Sequence, residues 1–410
     1  MSRTSRRTIL KAGGAGIVSL AFPFPSGFYQ GAFAGESNRP TLVVIYLRGG
    51  MDALNTVIPY KDRRYHDLRP TLGIPLDDVV PLDSKFGLHP SLKALKPFFD
   101  REQLAPIVNV GSPHPTRSHF DAQDFMEYAA PGLRTVRDGW LNRYLAQTAG
   151  KQEKERGDTL RALAIQGLLP RSLRGEYPVL AVPDRKVLKD KQVLEMFGEL
   201  YDGAGDMGAR DGVRQTGHTT AKTLERFEKI LAKAEARVTK PYPPGPLGAK
   251  LKSIAQVIRS GDGLEVAALD INGWDTHANQ GAREGAMPRL LKGVGDGLAA
   301  FMNDLGPHLE TTVIVTMTEF GRTCKENGNF GTDHGHGGVM FIMGGGVKGG
   351  KVHGKWTGIE EKAMYQGRDL KVTTDFRSVF GEILRNHFRF KPPRGFFPDY
   401  RPTPVRGLFA

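Results

Sequence analysis

Five short aliphatic runs constrain the fold of this 410-residue chain more than any other feature: Leu42 to Leu47, Leu104 to Val110, Leu264 to Ile271, Thr311 to Met317 and Val339 to Met343. Each is the length of one strand and lacks the polar alternation of a half-solvated one, so each reads as a central parallel strand covered on both faces. Helical patterns lie between them. Leu224, Phe227, Leu231, Ala234 and Val238 recur at three- and four-residue spacing with Lys and Glu opposite, and similar stripes cover about 285–304 and 375–388. Strands alternating with helices imply an α/β sheet with right-handed crossovers.

The ends and the middle are less regular. Ser5, Arg6, Arg7, Thr8, Ile9, Leu10 and Lys11 place an arginine pair before a weakly apolar stretch from Ala12 to Phe24, broken by Pro23 and Pro25. With no acid before Glu36 and a small-x-small site at Ala32-Phe33-Ala34, residues 1–34 read as a twin-arginine signal peptide cleaved after Ala34. The expected destination is the periplasm or beyond, by way of the twin-arginine translocase. Residues 35–410 then form a single domain. About 150–215, with its charged opening Lys151 to Asp158 and a Gly/Asp-rich stretch from Gly203 to Gly212, reads as an insertion or cap; 391–410 reads as an irregular tail.

Cleavage removes Arg3, Arg6, Arg7 and Lys11 and no acid, so the formal charge falls from +13 to +9. For an exported chain this favours anionic polymers, lipid head groups or phosphate and sulfate esters over nucleic acid. No other apolar run approaches the ~20 residues of a membrane span, so stable membrane insertion is not expected. Cys324 is the only cysteine, which excludes an internal disulfide and any multi-cysteine metal site.

Chemistry-bearing residues sit beside every strong strand. Arg48-Gly49-Gly50-Met51-Asp52 follows the first, Gly111 to His119 the second, Asn272-Gly273-Trp274-Asp275-Thr276-His277 the third and Glu319-Phe320-Gly321-Arg322 the fourth; Asp333-His334-Gly335-His336 precedes the fifth. In an open α/β sheet the carboxyl ends of the strands bind ligands, so these clusters can converge on one rim. Asp52, Asp275, His277, Glu319, Asp333, His334 and His336 are candidate ligands for a divalent ion such as zinc, manganese or calcium. Asp275 and His277 are two apart, as are His334 and His336, which places each pair on one side of an extended strand end. The alternative is that Asp275 and Asp333 satisfy turns and that Arg322 is a surface cation. Gly344-x-Gly346-x-x-Gly349 follows a strand, but turn-like residues come next, so no helix N-terminus is offered to a dinucleotide.

A hydroxyl nucleophile has two candidates. Ser118 and Thr116 lie between His114 and His119, where a helix of about 118–130 should start and lend its N–H groups to an anion. Ser118 serves equally well as that helix's N-cap.

Together the twin-arginine segment, LRGGMDALN at 47–55, PTRSHFDAQ at 115–123, NGWDTH at 272–277, TEFGRT at 318–323 and GTDHGHGG at 331–338 resemble a family of exported bacterial proteins of unknown function. That family is allied to the alkaline phosphatase and sulfatase superfamily. The resemblance implies an alkaline-phosphatase-like fold, a central mostly parallel sheet with helices on both faces, and a metal centre at the strand ends. It implies hydrolysis of phosphate or sulfate esters, small or on a polysaccharide. Asp52, Asp275, His277, Glu319 and His334 or His336 resemble the superfamily's ligands. Ser118 or Thr116 stands as nucleophile with Arg322 as a further catalytic residue, and Arg48, Asn55, Arg117 and His119 as substrate contacts. Two departures stand out. Pro113-His114-Pro115-Thr116-Arg117 has Pro where sulfatases carry the residue converted to formylglycine, and Phe320 replaces the His that usually follows the fourth-strand acid. They favour the rival expectation, a non-catalytic binding or assembly protein for exported polysaccharide or envelope components.

Overall fold

Thr41–Leu47 (β1) is buried at every position, and its alternate side chains face opposite ways. Val43, Ile45 and Leu47 enter one apolar core, while Leu42, Val44 and Tyr46 enter a second across the sheet. Each such aliphatic side chain contributes about 1.5–3 kcal/mol on burial. This two-sided burial is what makes the run continuous in sequence.

A computed structural model describes residues 39–150, 159–182, 227, 229–232 and 241–409. The twin-arginine segment and its cleavage site, Lys151 to Asp158, Gly203 to Gly212 and most of the 220–238 stripe lie outside the described residues. After β1 come Ala53–Thr56 (α1), Val57–Ile58 (β2), Arg63–Leu68 (α2), Val80–Pro81 (β3), Gly87–Leu88 (β4), Lys96–Asp100 (α3), Leu104–Gly111 (β5), His119–Glu127 (α4) and Trp140–Thr148 (α5). Next are Ala162–Ala164 (β6), Leu180–Ala181 (β7), Pro246–Ser260 (α6), Val266–Ile271 (β8), Ala286–Leu305 (α7), Thr312–Met317 (β9), Gly338–Gly344 (β10), Thr374–Asp375 (β11) and Phe376–Glu382 (α8).

Eight strands form the main sheet in the order β11-β5-β10-β9-β1-β8-β6-β7, and β2, β4 and β3 form a small second sheet. The fold is α/β with a mostly parallel central sheet. Helices α6 and α7 cover one face through Leu251, Ile254, Leu291 and Leu298; α5 and α8 cover the other, where Trp140 stacks on Phe380 at 4.1 Å.

Two expectations change. The run at Val339 to Met343 becomes β10, which is antiparallel to both neighbours, β5 and β9. The 318–337 connection contains no crossover helix, so it leaves and re-enters the sheet at the same end. Residues 159–182, read as part of a cap, supply β6 and β7, which extend the sheet alongside β8. As expected, no helix follows Gly344-x-Gly346-x-x-Gly349. The tail has no helix or strand among residues 391–409, yet it buries Phe396, Phe397 and Leu408.

Candidate metal centre

The carboxyl ends of β1, β5, β8 and β9 lie side by side, with only β10 intervening, so the connections that follow them share one rim. Gly49 and Gly50 allow these connections to close up. Both have positive φ, +122° and +72°; a Cβ on Gly49 would lie 2.5 Å from the Asp275 amide nitrogen, and one on Gly50 2.7 Å from the Phe320 ring.

At the centre of the rim lies the Asp275 carboxylate. Its Oδ1 accepts a 2.6 Å hydrogen bond from Arg322 Nη2 and lies 3.1 Å from Nε2 of both His277 and His334 and 3.3 Å from Nε2 of His119. Arg322 is fully buried and also donates to the carbonyls of Gly49, Gly50, Trp274 and Thr332. Burial alone would raise the Asp275 carboxyl, but the Arg322 hydrogen bond and charge, with His334, hold it down at about 2.

Each of the three imidazoles is oriented by an acceptor behind it. His119 Nδ1–H donates to Glu319 Oε1 (2.7 Å), His334 Nδ1–H to the Arg117 carbonyl (2.7 Å) and His277 Nδ1–H to Asp333 Oδ1 (3.1 Å). A carbonyl or carboxylate can only accept, so a neutral ring with its proton on Nδ1 turns its Nε2 lone pair toward Asp275, whereas the 3.1 Å approach of His334 Nε2 to Asp275 Oδ1 is a hydrogen bond only when Nε2 carries a proton. His119 Nε2 is buried and has no hydrogen-bond partner among the described residues. Nε2 of His277 and His334 are 2.8 Å apart, and two lone pairs at that distance need a proton or a cation between them. Burial disfavours a proton on His334, whose pKa is lowered. The donor atoms of His119, Asp275 and His334 all lie within 4.8 Å of one another. Nitrogen and carboxylate donors with acceptor-fixed tautomers are the environment of a metal-ligating histidine, so these residues fit a divalent ion.

Glu319 stands behind this set and is not part of it. Its side chain is fully buried, and Oε1 accepts from Gly49 N (2.9 Å) and Gln123 Nε2 (2.9 Å) as well as His119. Burial raises its carboxyl, and the bonds from His119 and Gln123 more than offset that and lower it. The Glu319 hydrogen bond in turn raises the pKa of His119. Asp333 likewise holds His277 and is itself held by Asn327. Phe320, in the place of the expected His, packs under the rings of His119 and His334 at 4.8 and 4.9 Å. It is an apolar floor.

Several expected site residues are engaged elsewhere. Asp52 caps α1 through the Leu54 amide and is locked by Arg69 and Gln280. Asn55 is buried between the Leu72 carbonyl, Tyr65 and Arg69. His336 stacks on Tyr365 at 4.3 Å, and burial lowers its pKa to about 4. Arg48 is bound to Asp270, Glu127 and Gln123, and Arg117 to Asp369 and Gln366, so neither presents a free guanidinium to an ester. Arg322 holds Asp275 from inside the protein, which makes it a positioning residue. Thr116 Oγ1 accepts from the Ser118 amide, closing the turn before α4. Ser118 occupies the N-cap of α4 and is exposed, but its hydroxyl makes no capping hydrogen bond.

His119, expected as a substrate contact, stands beside Asp275 and His334, and Gln123, which the sequence does not single out, joins it at Glu319. The signal was their spacing of four, which puts both on the face of α4 toward Glu319. Arg69, Gln280 and Glu127 carried no local signal, because their partners are distant in sequence.

A family model described as a protein of unknown function, DUF1501, matches residues 39–394. The chain belongs to the DUF1501 family. No curated protein matches it. Among similar solved structures is the sulfatase PsFucS1 from Pseudoalteromonas sp., at 11% identity, with 85% of this chain and 67% of that one covered and a TM-score of 0.34. Another is an alkaline phosphatase superfamily protein from Vibrio parahaemolyticus, at 10% identity, 86% and 72% coverage and a TM-score of 0.35. A third is the C-terminal periplasmic domain of EcEptC from Escherichia coli in complex with Zn, at 11% identity, 79% and 77% coverage and a TM-score of 0.35. No helix among the described residues of this DUF1501 member is long and apolar enough to cross a membrane.

Proposed function

We propose that this chain is an exported, metal-dependent hydrolase of phosphate or sulfate esters. The observation that carries the reading is the convergence of three Nδ1-anchored imidazoles on Asp275 Oδ1. His119, Asp275 and His334 would hold one ion, with His277 as a fourth, more exposed ligand. The nitrogen-rich set suits zinc better than calcium, which prefers oxygen ligands. When bound, a divalent ion there supplies Lewis-acid polarisation of an ester oxygen.

The chain's own residues account for the rest. Arg322 fixes the shared Asp275 oxygen and places a permanent buried positive charge beside it, which supports a one-ion centre. Glu319, Asp333 and the Arg117 carbonyl keep the imidazoles in the correct tautomer. The Ser118 hydroxyl, uncommitted to capping and next to His119, is the proposed nucleophile; the first turn of α4 turns backbone N–H groups toward an anionic ester. Phe320 keeps water from the inner side.

The test is hydrolysis of 4-nitrophenyl phosphate, bis(4-nitrophenyl) phosphate and 4-nitrophenyl sulfate with added zinc, manganese or calcium. Turnover lost in Asp275→Asn and Ser118→Ala supports the reading. No turnover on any of them by a metal-loaded chain overturns it. That outcome would favour a metal-bearing binding protein, a reading supported by the internal engagement of Arg48 and Arg117.

A further inference from the structure

Four large apolar side chains are strongly exposed among the described residues: Leu76, Phe120, Leu168 and Phe330. Three of them stand on the rim that carries the histidine cluster. Phe120 follows His119 in the first turn of α4 and is 81% exposed. Leu168 follows β6; its carbonyl is held by Gln166, which also binds Asp270 at the end of β8. Phe330 lies in the connection after β9, in the turn closed by Asn327 beside His277.

Phe330 is presented rather than left loose. It has φ of +57°, an uncommon conformation for a bulky residue, and its carbonyl accepts from the Gln280 amide. The Asn329 carbonyl accepts from Asn279, while the Asn327 side chain accepts from the amides of Asn329 and Gly331. This bonding holds a strained backbone that leaves a phenyl ring in water. Such outliers cluster at functional surfaces.

The three tips do not line one pocket. They come from the ends of β5, β6 and β9, and β5 and β6 are five strand spacings apart in the sheet, about 24 Å. Three isolated apolar tips spread over that distance suit a plane better than a small molecule. The chain that carries them is basic, with a formal charge of +13 that falls to +9 without residues 1–34, and exposed cations, Arg137 and Lys325, lie in the connections after α4 and β9. Apolar tips on a basic chain fit the interface of an anionic bilayer.

We infer that the rim bearing the histidine cluster docks on an anionic lipid surface, with Phe120, Leu168 and Phe330 as its apolar anchors. The site then faces the head groups, and a lipid-borne anionic ester would be presented to it at the surface. Docking needs neither metal nor turnover, so it stands or falls separately from hydrolysis.

The experiment is flotation of the exported chain with vesicles of phosphatidylcholine alone or with phosphatidylglycerol, at low and high salt. The expected result is binding to the phosphatidylglycerol vesicles that weakens with salt and falls at least tenfold in Phe120→Ser/Leu168→Ser/Phe330→Ser. Leu76→Ser, in the segment between α2 and β3, should bind as the parent does. All the changes are at exposed positions, and an unchanged circular dichroism spectrum and melting midpoint verify the fold. No vesicle binding by the parent overturns the inference, as does equal loss in Leu76→Ser. A triple variant that binds vesicles normally but has a raised KM for a soluble aryl ester also overturns it, since the tips would then be substrate contacts.

Discussion

The rim carries two aspartate–arginine pairs, Asp52 with Arg69 and Asp275 with Arg322. In both the arginine is fully buried and also donates to backbone carbonyls. The aspartates differ. The Asp52 side chain is 1% exposed, and its oxygens accept from Arg69, the Leu54 amide and Gln280. The Asp275 side chain is 44% exposed, and apart from Arg322 its surroundings are the Nε2 atoms of three imidazoles, each backed by an acceptor at Nδ1. A carboxylate surrounded by donors is a structural knot. One ringed by imidazole nitrogens and open to solvent is a place for a cation.

The largest expected effect breaks the closed pair. Asp52→Asn leaves the buried Arg69 charge uncompensated and should cost about 3–5 kcal/mol in urea unfolding, with metal affinity per folded molecule unchanged. Asp275→Asn should cost less, about 1–2 kcal/mol, because solvent reaches that pair. Equal losses at the two sites would remove the distinction.

Next comes metal affinity. His119→Ala should weaken zinc binding, read by competition with a chromophoric chelator, more than the loss of an orienting partner, which typically costs about 10–100-fold. Glu319→Gln removes only the charge behind His119 and should fall near the lower end of that range. A Glu319 variant with the larger effect would move that carboxylate into the ligand set.

The smallest effect is one of pH and lies away from both pairs. His387 donates to the Thr41 carbonyl, and burial lowers its pKa from 6.5 to about 4. Between those values the unfolded chain binds more protons than the folded one. The stability due to this group is therefore complete above about pH 6.5 and is lost on acidification toward 4. The slope is at most about 1.4 kcal/mol per pH unit, and His387→Asn should flatten the melting-midpoint profile in that window.

The difference between the pairs also marks how much could be read from sequence. Runs such as Leu42 to Leu47 declare themselves because two-sided burial leaves no polar alternation, and the strand-end rule then brings Asp275, His277 and His334 to one rim. The direction of β10 was hidden, since a continuous apolar run looks the same parallel or antiparallel. Asp52 resembled a ligand by residue type and position after β1. What engages it instead is Arg69, seventeen positions on, and Gln280, more than two hundred away. Glu319 was seen, but whether it binds an ion or a histidine depends on the rotation of one imidazole on α4.

The most direct test is metal analysis of the chain purified without chelator, beside His119→Ala/His334→Ala. The account predicts one divalent ion per parent chain and less than a tenth of that in the double variant, with an unchanged far-ultraviolet circular dichroism spectrum. A folded parent chain that takes up no zinc or manganese on titration, or a double variant that keeps its ion, would contradict it.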